Sequence, residues 1–466
     1  MTRIAIIGAG ISGLATAYLL KSRAAESGLD IDITVLEKEA RIGGKILSIR
    51  EDGYLCEWGP NGFLDSKPMT LELCAQLGIS ADLLRSDDNA RKRFIYSGGV
   101  LHRLPENGPS FLRSNLISWP GKLRLAYEML VPPYRGDEDE SLADFGRRRL
   151  GGEALDKLIA PMVAGIFAGD PETMSLQSCF PRIYQLEREY GGLIKAMAKL
   201  AKKKKAERRA GQAVASAAGP GGVLTSFRSG IQELTDAVAA GFGAVRTGAA
   251  VAALRPRDGG FELLLEDGTS VDAEVVISAA PAYALAGMTR ESLPSVAEIL
   301  GTIPYAPMNV VCFGYRREKI ARDLDGFGYL IPRREGRSIL GTLWDSSIFP
   351  ERAPEGHVLL RSMMGGATNP AAIDLTDDEV RLRVAAELKT IMGIDAPADF
   401  VRIFRHLRAI PQYTVGHGRR LQAIDEQLDR MPGLFLTGNA FSGIGINDCV
   451  NAARQVAQRV IDSLGD

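Results

Sequence analysis

The sequence predicts an α/β protein: a parallel-sheet domain of the doubly wound type, interrupted by a mixed sheet with helices and by a further helical region. A glycine-rich turn joins an apolar strand to a helix at the start of the chain. Strand-like segments dominate from about 308 to 361, and an α/β pattern returns near the end. A chain of 466 residues is too long for one ordinary core, so several domains are expected.

Composition and charge exclude several functional classes. Hydrophobic residues make up 45% and charged residues 24%, as in soluble globular proteins. A net charge of −1 offers no general attraction to nucleic acid. The five cysteines form no C-x-x-C pair and the four histidines are dispersed, so neither a disulfide framework nor a metal site is predicted. We expect a cytoplasmic location, without a signal peptide or a transmembrane helix.

The first motif consists of a strand, a glycine-rich turn and a helix. The strand is Arg3-Ile4-Ala5-Ile6-Ile7, and the turn is Gly8-Ala9-Gly10-Ile11-Ser12-Gly13. Gly8 permits the tight turn, Gly10 allows backbone to approach a pyrophosphate, and Gly13 lets the helix pack closely on the strand. The helix N-terminus at Ile11 and Ser12 offers unpaired N–H groups to phosphate oxygens. The motif predicts a Rossmann-type dinucleotide site.

The next strand, at 31–36, ends in Glu37, where such folds place a carboxylate that accepts hydrogen bonds from a ribose. This carboxylate disfavours a 2′-phosphate, so NADP is not expected. Arg41 and the pair Gly43-Gly44 then follow at a fixed short spacing and can supply further donors to a pyrophosphate. Since FAD and NAD share the glycine fingerprint, this extension decides between them. It resembles the flavin-containing amine oxidase superfamily, which implies FAD.

The C-terminal segment contains a second glycine-rich loop before a helix. It reads Gly438-Asn439-Ala440-Phe441-Ser442-Gly443-Ile444-Gly445-Ile446-Asn447-Asp448-Cys449. Backbone amides in such a loop can hydrogen-bond the isoalloxazine ring of a flavin and stabilise its anionic reduced form. A second interpretation is that Asn447 or Asp448 only caps the helix, and both can hold together.

Longer stretches resemble the oxygen-dependent protoporphyrinogen oxidases and the related coproporphyrinogen III oxidases. The matching stretches are Arg41-Ile42-Gly43-Gly44-Lys45, Glu57-Trp58-Gly59-Pro60-Asn61, Arg93-Phe94-Ile95-Tyr96, Ser141-Leu142-Ala143-Asp144-Phe145, Gly165-Ile166-Phe167-Ala168-Gly169-Asp170, Cys179-Phe180-Pro181, Gly326-Phe327-Gly328-Tyr329-Leu330, Ile410-Pro411-Gln412-Tyr413 and the final glycine-rich loop. Flavin amine oxidases usually carry Gly-Glu in that loop, where this chain has Gly438-Asn439. The departure argues against an amine oxidase.

This resemblance implies an enzyme of haem biosynthesis that removes six hydrogens from a porphyrinogen in three flavin cycles, with oxygen as acceptor. It also implies a discontinuous FAD-binding domain at 1–65, 225–285 and 411–466. A mainly helical region would occupy 66–224, and a substrate-binding domain 286–410. No second nucleotide fingerprint is present, so oxygen or a quinone is expected to reoxidise the flavin.

Individual residues can be assigned roles through the same resemblance. Further cofactor contacts would come from Trp58, Gly59, Pro60, Asn61 and Val251. Asn61 would lie near the reactive flavin edge, and it is the only catalytic candidate. Substrate contacts would come from Arg93, Met162, Gly165, Phe327, Gly328, Leu330 and Met363. Arg93 suits a propionate carboxylate, although a surface arginine and ordinary core residues are the plain alternatives.

Several alternatives remain open from sequence. The substrate could be protoporphyrinogen IX, coproporphyrinogen III, an amine or a polyene, and a flavoprotein that only binds tetrapyrroles also fits. The apolar segment Ile117–Tyr134 and the basic run at 199–209 favour either peripheral membrane contact or ordinary packing and solvation. A homodimer is compatible with the sequence.

Overall fold

The computed structural model describes residues 1–209 and 222–465 and confirms the α/β class. The strands are β1 (Thr2–Ile7), β2 (Ile31–Leu36), β3 (Ser48–Glu51), β4 (Tyr54–Glu57), β5 (Phe63–Leu64), β6 (Leu83–Arg85), β7 (Arg93–Ser97), β8 (Val100–Arg103), β9 (Leu224–Phe227), β10 (Val251–Arg257), β11 (Gly260–Leu265), β12 (Ser270–Ala273), β13 (Val275–Ser278), β14 (Tyr305–Arg316), β15 (Gly328–Leu330), β16 (Gly341–Leu343), β17 (His357–Gly365), β18 (Phe400–Pro411) and β19 (Leu434–Leu436).

Helices connect and cover these strands. They are α1 (Ile11–Ser27), α2 (Pro68–Gln76), α3 (Gly108–Arg113), α4 (Trp119–Ala126), α5 (Leu142–Arg149), α6 (Gly152–Ala154), α7 (Ala160–Phe167), α8 (Leu176–Cys179), α9 (Pro181–Tyr190), α10 (Leu193–Arg209), α11 (Gln232–Phe242), α12 (Ala282–Met288), α13 (Pro294–Gly301), α14 (Asp345–Ile348), α15 (Asp377–Met392), α16 (His417–Leu428) and α17 (Ile446–Gly465). A π-helical turn, Leu155–Ile159, joins α6 to α7. Among the described residues, no helix combines the length and apolarity needed to cross a bilayer.

A four-stranded parallel sheet in the order β19-β13-β1-β2 forms the centre of the nucleotide-binding part. Alternate side chains of β1 point to opposite faces. Ile4 and Ile6 pack under α1, α11 and α17, whereas Ala5 and Ile7 pack against the antiparallel β10-β11-β12 sheet and α12. Both faces are therefore covered, which explains why these strands are apolar without alternation.

A seven-stranded mixed sheet in the order β18-β14-β17-β16-β15-β7-β8 forms the second large layer. Its back face packs on α15, with Phe313 and Tyr329 against Val384 and Leu388. The hairpin of β3 and β4, from the first chain segment, packs on the front face of this sheet. The front face thus lies between the nucleotide-binding part and the helical region.

The chain at 66–224 is less purely helical than the sequence predicts. Its strands β7 and β8 enter the seven-stranded sheet, where β7 pairs in parallel with β15. The run from Arg93 to Tyr96 is rich in β-branched and aromatic residues, and this composition favours a strand. We keep the three-part division as a proposal, with 93–103 assigned to the substrate-binding sheet.

A buried ionic network stabilises the helical region. Arg149 at the end of α5 is fully buried and pairs with Glu128 at 3.0 Å and with Glu187 at 2.8 Å. Arg148 adds bonds to Glu187 and Glu140. Because buried charges lose their hydration, each of these groups depends on its partners.

We expect Arg149→Met to lower the free energy of unfolding by about 3–5 kcal/mol, since it removes the arginine that pairs with the buried Glu128 and one of the two arginines that pair with Glu187. Arg147→Met is the matched control, because Arg147 lies on the same helix and its side chain is 50% exposed. The control should change stability by no more than about 0.5 kcal/mol. Urea unfolding measures both, and equal effects would contradict the assigned role of the network.

Candidate active site

The turn after β1 has the geometry of a phosphate cradle. Gly8 has a φ of +98°, a conformation that L side chains rarely adopt. A Cβ on Gly13 would lie 1.9 Å from the Gly8 carbonyl oxygen, so only glycine allows this close contact of helix and strand. No side chain of the described residues caps α1 at Gly10. The first N–H groups, at Ile11 and Ser12, are therefore available to an anion.

Glu37 braces the same turn from the end of β2. Its Oε2 accepts a hydrogen bond from the Ala9 N–H at 2.7 Å, and its Oε1 accepts one from the Glu39 N–H at 3.0 Å. The Ala249 N–H donates to the Glu37 carbonyl at 2.8 Å, which brings the start of β10 at Val251 near the same point. A carboxylate has further lone pairs and can still accept hydrogen bonds from a ribose.

The second glycine pair packs directly on the first turn. Gly43 donates its N–H to the Ala9 carbonyl at 2.8 Å, and a Cβ on Gly44 would lie 3.1 Å from the Gly10 Cα. The Arg41 guanidinium stacks over the Trp58 ring at 4.6 Å and donates to the Gly44 carbonyl at 2.6 Å. Through these contacts Arg41 stabilises the shape of the loop around Gly43 and Gly44. The sequence suggests only a pyrophosphate contact for this residue.

The C-terminal glycine loop meets the N-terminal turn. A Cβ placed on Gly438, whose φ is +118°, would lie 4.0 Å from the Ser12 Oγ. The side-chain amide of Asn447 makes other contacts than a helix cap. Its Nδ2 donates to the Leu64 carbonyl at 2.8 Å, and its Oδ1 accepts a hydrogen bond from Thr70. Helix α17 begins at Ile446. In its first turn, Asp448 forms an ion pair with Lys67 and accepts a hydrogen bond from the Gly445 N–H at 3.4 Å. The loop is thereby fastened to the first chain segment.

Tyr413 and His417 shape this loop, and sequence reasoning assigned neither a role. The Tyr413 hydroxyl donates to the Asn439 carbonyl at 2.5 Å and accepts from the Gly443 N–H at 2.9 Å. The His417 ring stacks on Tyr413 with centroids 4.3 Å apart. Burial lowers the pKa of His417 to about 4, so the ring is neutral at physiological pH. The sequence signal for Tyr413 is the stretch Ile410-Pro411-Gln412-Tyr413, which resembles the porphyrinogen oxidases.

These features fit FAD. An uncapped helix N-terminus, glycines at which a Cβ would clash, and a carboxylate at the end of β2 suit the diphosphate and ribose of a dinucleotide. The C-terminal loop brings Gly438 to the same helix, where its amides can face a flavin ring. We propose that Trp58, Gly59 and Pro60, which follow β4, line the remainder of the cofactor site.

Four of the proposed substrate residues, Arg93, Gly328, Leu330 and Met363, share the front face of the seven-stranded sheet. Residues directly opposite each other in neighbouring strands project from the same face. Arg93 lies opposite Gly328, and Leu330 and Met363 both lie opposite Gly341. The structure thus brings together residues that are up to 270 positions apart in sequence.

Apolar side chains on this face remain partly exposed. Phe327, Leu330, Met363 and Met162 are all half-buried, as expected for the wall of a cleft rather than for a closed core. Gly165 on α7 faces Leu330, since a Cβ there would lie 3.0 Å from two of its methyl carbons. Together they give an apolar surface between sheet and helix.

Gly328 has a structural reason to be glycine. Its φ is +127°, and a Cβ would lie 2.1 Å from the Thr342 carbonyl oxygen. The residue therefore allows β15 and β16 to approach closely, and a direct substrate contact for it remains a prediction.

Arg93 is the polar group at this cleft. Its guanidinium lies 5.4 Å from the centre of the Phe327 ring and pairs with no carboxylate in the described parts of the chain. The side chain is exposed to solvent, yet surrounding protein removes part of its hydration and lowers its pKa from the ordinary value. An unpaired guanidinium in such a position favours an anionic group of a ligand.

Asn61 lies in the segment that follows β4 and contacts Asp345 at the start of α14. It is 9% exposed, and its Nδ2 donates to Asp345 Oδ1 at 3.4 Å. Asp345 in turn pairs with Arg361 at 2.8 Å. Sequence reasoning missed both, because Asp345 and Arg361 belong to no motif and meet Asn61 only through the fold. The described residues contain no group of three or more side chains arranged to hold a metal ion.

The fold and the site define an FAD-dependent oxidoreductase. A family model described as flavin containing amine oxidoreductase matches residues 11–461. Coproporphyrinogen III oxidase of Bacillus subtilis (strain 168) is 31% identical over 97% of this chain and 96% of its own length. Chloroplastic protoporphyrinogen oxidase of Nicotiana tabacum is 33% identical over 98% of this chain and 84% of its own length. A solved structure from Exiguobacterium sp. 255-15 covers 100% of the chain with a TM-score of 0.83 at 26% identity.

The chain belongs to the flavin containing amine oxidoreductase family, and within it to the coproporphyrinogen III and protoporphyrinogen oxidases. Its cofactor is FAD.

We expect Gly13→Ala to abolish FAD binding, because the added methyl group would displace α1 from β1. The matched control is Gly28→Ala at the other end of α1, where a Cβ meets nothing within 4 Å. Its φ of +66° should lower stability by about 1 kcal/mol and leave the cofactor in place. Absorbance of the purified proteins near the flavin bands measures both. A yellow Gly13→Ala protein would contradict the assignment.

Proposed function

We propose that this protein oxidises a porphyrinogen to the porphyrin in haem biosynthesis, with FAD as cofactor and oxygen as acceptor. The observation that carries the proposal is the unpaired Arg93 beside an apolar sheet face with Leu330 and Met363. A porphyrinogen is a broad apolar macrocycle with propionate carboxylates on its rim. Its body suits the apolar face, and one carboxylate suits the guanidinium.

The chain's own residues would mainly position the substrate. Each cycle removes one hydride from a meso carbon of the macrocycle and one proton, and one oxygen molecule is reduced to hydrogen peroxide. Over three cycles, two of the protons come from pyrrole nitrogens and one from the fourth meso carbon. Bound FAD supplies the hydride acceptor. The lone pairs of the pyrrole nitrogens assist departure of the hydride. Arg93, Phe327 and Leu330 would therefore mainly orient the substrate and exclude water from it.

The alternative of an amine oxidase has no supporting observation at this cleft. An amine substrate is a cation, and Arg93 would repel it. The features of this cleft do not distinguish an oxidase from a protein that only binds tetrapyrroles, because both functions need an apolar wall and a cation. Turnover is the property that distinguishes them.

A comparative assay tests the proposal. The FAD-loaded protein is mixed with coproporphyrinogen III and, separately, with protoporphyrinogen IX in air. Porphyrin fluorescence and hydrogen peroxide should rise together with at least one substrate, and many porphyrin molecules should form per protein. Absence of catalytic fluorescence with both substrates would remove the proposed function. Binding of porphyrin without turnover would favour the alternative of a flavoprotein that only binds tetrapyrroles.

Arg93→Met should lower kcat/KM about 10- to 100-fold, mostly through a higher KM, because a charge-assisted hydrogen bond to a propionate is lost. Arg91→Met is the matched control, since Arg91 is exposed and, in the described parts of the chain, its ion pair is with Asp88 on the surface. Steady-state kinetics with the preferred porphyrinogen measures the effect. An unchanged KM in Arg93→Met would exclude the propionate contact.

We further propose that the protein is cytoplasmic and contacts a membrane through α4 and the turn after it. Trp119 and Leu123 on α4 are 65% and 70% exposed, and Leu130 after it is 73% exposed. Lys195 and Lys199 on α10 are exposed and add positive charge. An exposed aromatic and leucine surface with lysines nearby is typical of a protein that lies on a lipid surface. Side chains from 204 onward in the predicted basic run lie outside the described residues.

The triple variant Trp119→Ser, Leu123→Ser, Leu130→Ser should lose most binding to vesicles of anionic lipid. Leu382→Ser and Leu407→Ser are the matched controls, since these side chains on α15 and β18 are 64% and 73% exposed. Cosedimentation with the vesicles measures binding. Equal binding by the triple variant and the controls would assign these apolar residues no membrane role.

A further inference from the structure

A chain of buried polar groups links the flavin-proximal segment to the substrate-binding sheet. Arg361 on β17 donates through Nη1 to the carbonyls of Glu57 at 3.2 Å and Gly59 at 3.0 Å. Its Nε pairs with Asp345 Oδ2 at 2.8 Å. The other oxygen of Asp345 accepts from Asn61 Nδ2 at 3.4 Å. Arg361 and Asp345 therefore hold the segment 57–61 at both its beginning and its end.

All three side chains are removed from bulk water. Asp345 is 1% exposed, Arg361 3% and Asn61 9%. Burial raises the pKa of the Asp345 carboxyl above its ordinary value, and the guanidinium groups of Arg361 and Arg352 partly offset that rise. Such a carboxylate is costly to bury unless its hydrogen bonds are satisfied. Arg361 forms an ion pair with its Oδ2, and Asn61 donates a hydrogen bond to its Oδ1.

The carboxylate fixes the orientation of the Asn61 amide. A carboxylate only accepts hydrogen bonds, so Asn61 must turn its NH2 group toward Asp345. The Asn61 Oδ1 is consequently directed away as a fixed acceptor. It is buried, and it has no hydrogen-bond partner among the described residues. An unpaired buried acceptor is unfavourable until a donor of a ligand reaches it.

The location of this acceptor connects it to the proposed substrate face. Arg361 on β17 lies opposite Leu343 on β16. Leu343 lies opposite Gly328 on β15, and Gly328 lies opposite Arg93 on β7. Arg361 and Arg93 therefore project from the same face, three strand spacings or about 14 Å apart. A ligand held by Arg93 at one end would extend across that face toward Asn61.

We propose that Asp345, held by Arg361, is a positioning residue that orients Asn61 to accept a hydrogen bond from a pyrrole N–H of the porphyrinogen. This inference rests on the proposed function. A porphyrinogen presents pyrrole N–H donors at its centre. When the hydride leaves carbon for the cofactor, positive charge develops on the pyrrole, and its N–H becomes a stronger donor until the proton leaves to solvent. An acceptor fixed beforehand stabilises that change without reorganisation.

A double-mutant cycle tests the positioning role. Asn61→Ala should lower kcat about tenfold with little change in KM, and Asp345→Asn should do the same, because its amide no longer fixes that of Asn61. The double variant should be no slower than Asn61→Ala alone, since Asp345 acts only through Asn61. If the two substitutions lowered kcat independently, so that their effects multiplied in the double variant, the proposal would be overturned. A wild-type kcat in Asp345→Asn would also overturn it.

An exchange variant covers the case in which Asp345→Asn does not fold. Asn61→Asp alone places two carboxylates together and should be the slowest variant. Asn61→Asp with Asp345→Asn restores one carboxylate, the hydrogen bond between the two positions and an acceptor for Arg361. This exchange should recover at least part of kcat and the thermal stability. Failure to exceed the Asn61→Asp single variant in either measurement would overturn the proposal.

Glu387→Gln is the matched control for loss of a buried carboxylate. Glu387 is 8% exposed, accepts from Ser338 at 2.8 Å and lies on α15, behind the sheet. It should lower the melting temperature and leave kcat unchanged. Flavin absorbance of every variant shows whether FAD is bound. Wild-type protein without porphyrinogen turnover would instead refute the proposed function, so the two failures are distinguishable.

Discussion

The contact between the two glycine-rich loops is the constraint on which the site depends. The parallel order β19-β13-β1-β2 places the carboxyl ends of strands from both ends of the chain at one edge. Gly8 through Gly13 follow one of these strands, and Gly438 follows another. A cofactor held by the first loop at its diphosphate can therefore meet the second loop at its ring. The rest of the molecule brings a substrate surface to that ring.

A second constraint is the set of buried ion pairs between segments distant in sequence. Glu57 accepts from Ser48 Oγ at 2.6 Å and from the Ile231 N–H at 3.0 Å, and it lies 3.7 Å from Arg352. Arg352 also donates to the Phe227 carbonyl at 3.1 Å. Because desolvated charges tolerate few alternative arrangements, such a network favours one relative placement of the nucleotide-binding segments and the substrate sheet.

The parts of the site that the sequence predicts are local motifs. The turn from Gly8 to Gly13, the acid at Glu37 and the Arg41 loop each specify their geometry within a few residues, so spacing alone reveals them. Asp345, Arg361 and the Tyr413–His417 stack depend on strand register and on segments packed from elsewhere. No periodicity marks them. Strand β7 was missed for a related reason, since its hydrogen-bond partner β15 lies more than two hundred residues away, and β8 pairs only with β7 among the described strands.

Rapid mixing without oxygen tests the central claim most directly, because it observes cofactor and substrate at one site in one turnover. The FAD-loaded protein is mixed with an excess of coproporphyrinogen III or protoporphyrinogen IX, and the absorbance of oxidised flavin is followed. The account predicts that this absorbance disappears with at least one of them and returns when air is admitted. Flavin that stays oxidised with both, or a purified chain unable to take up FAD, would contradict it.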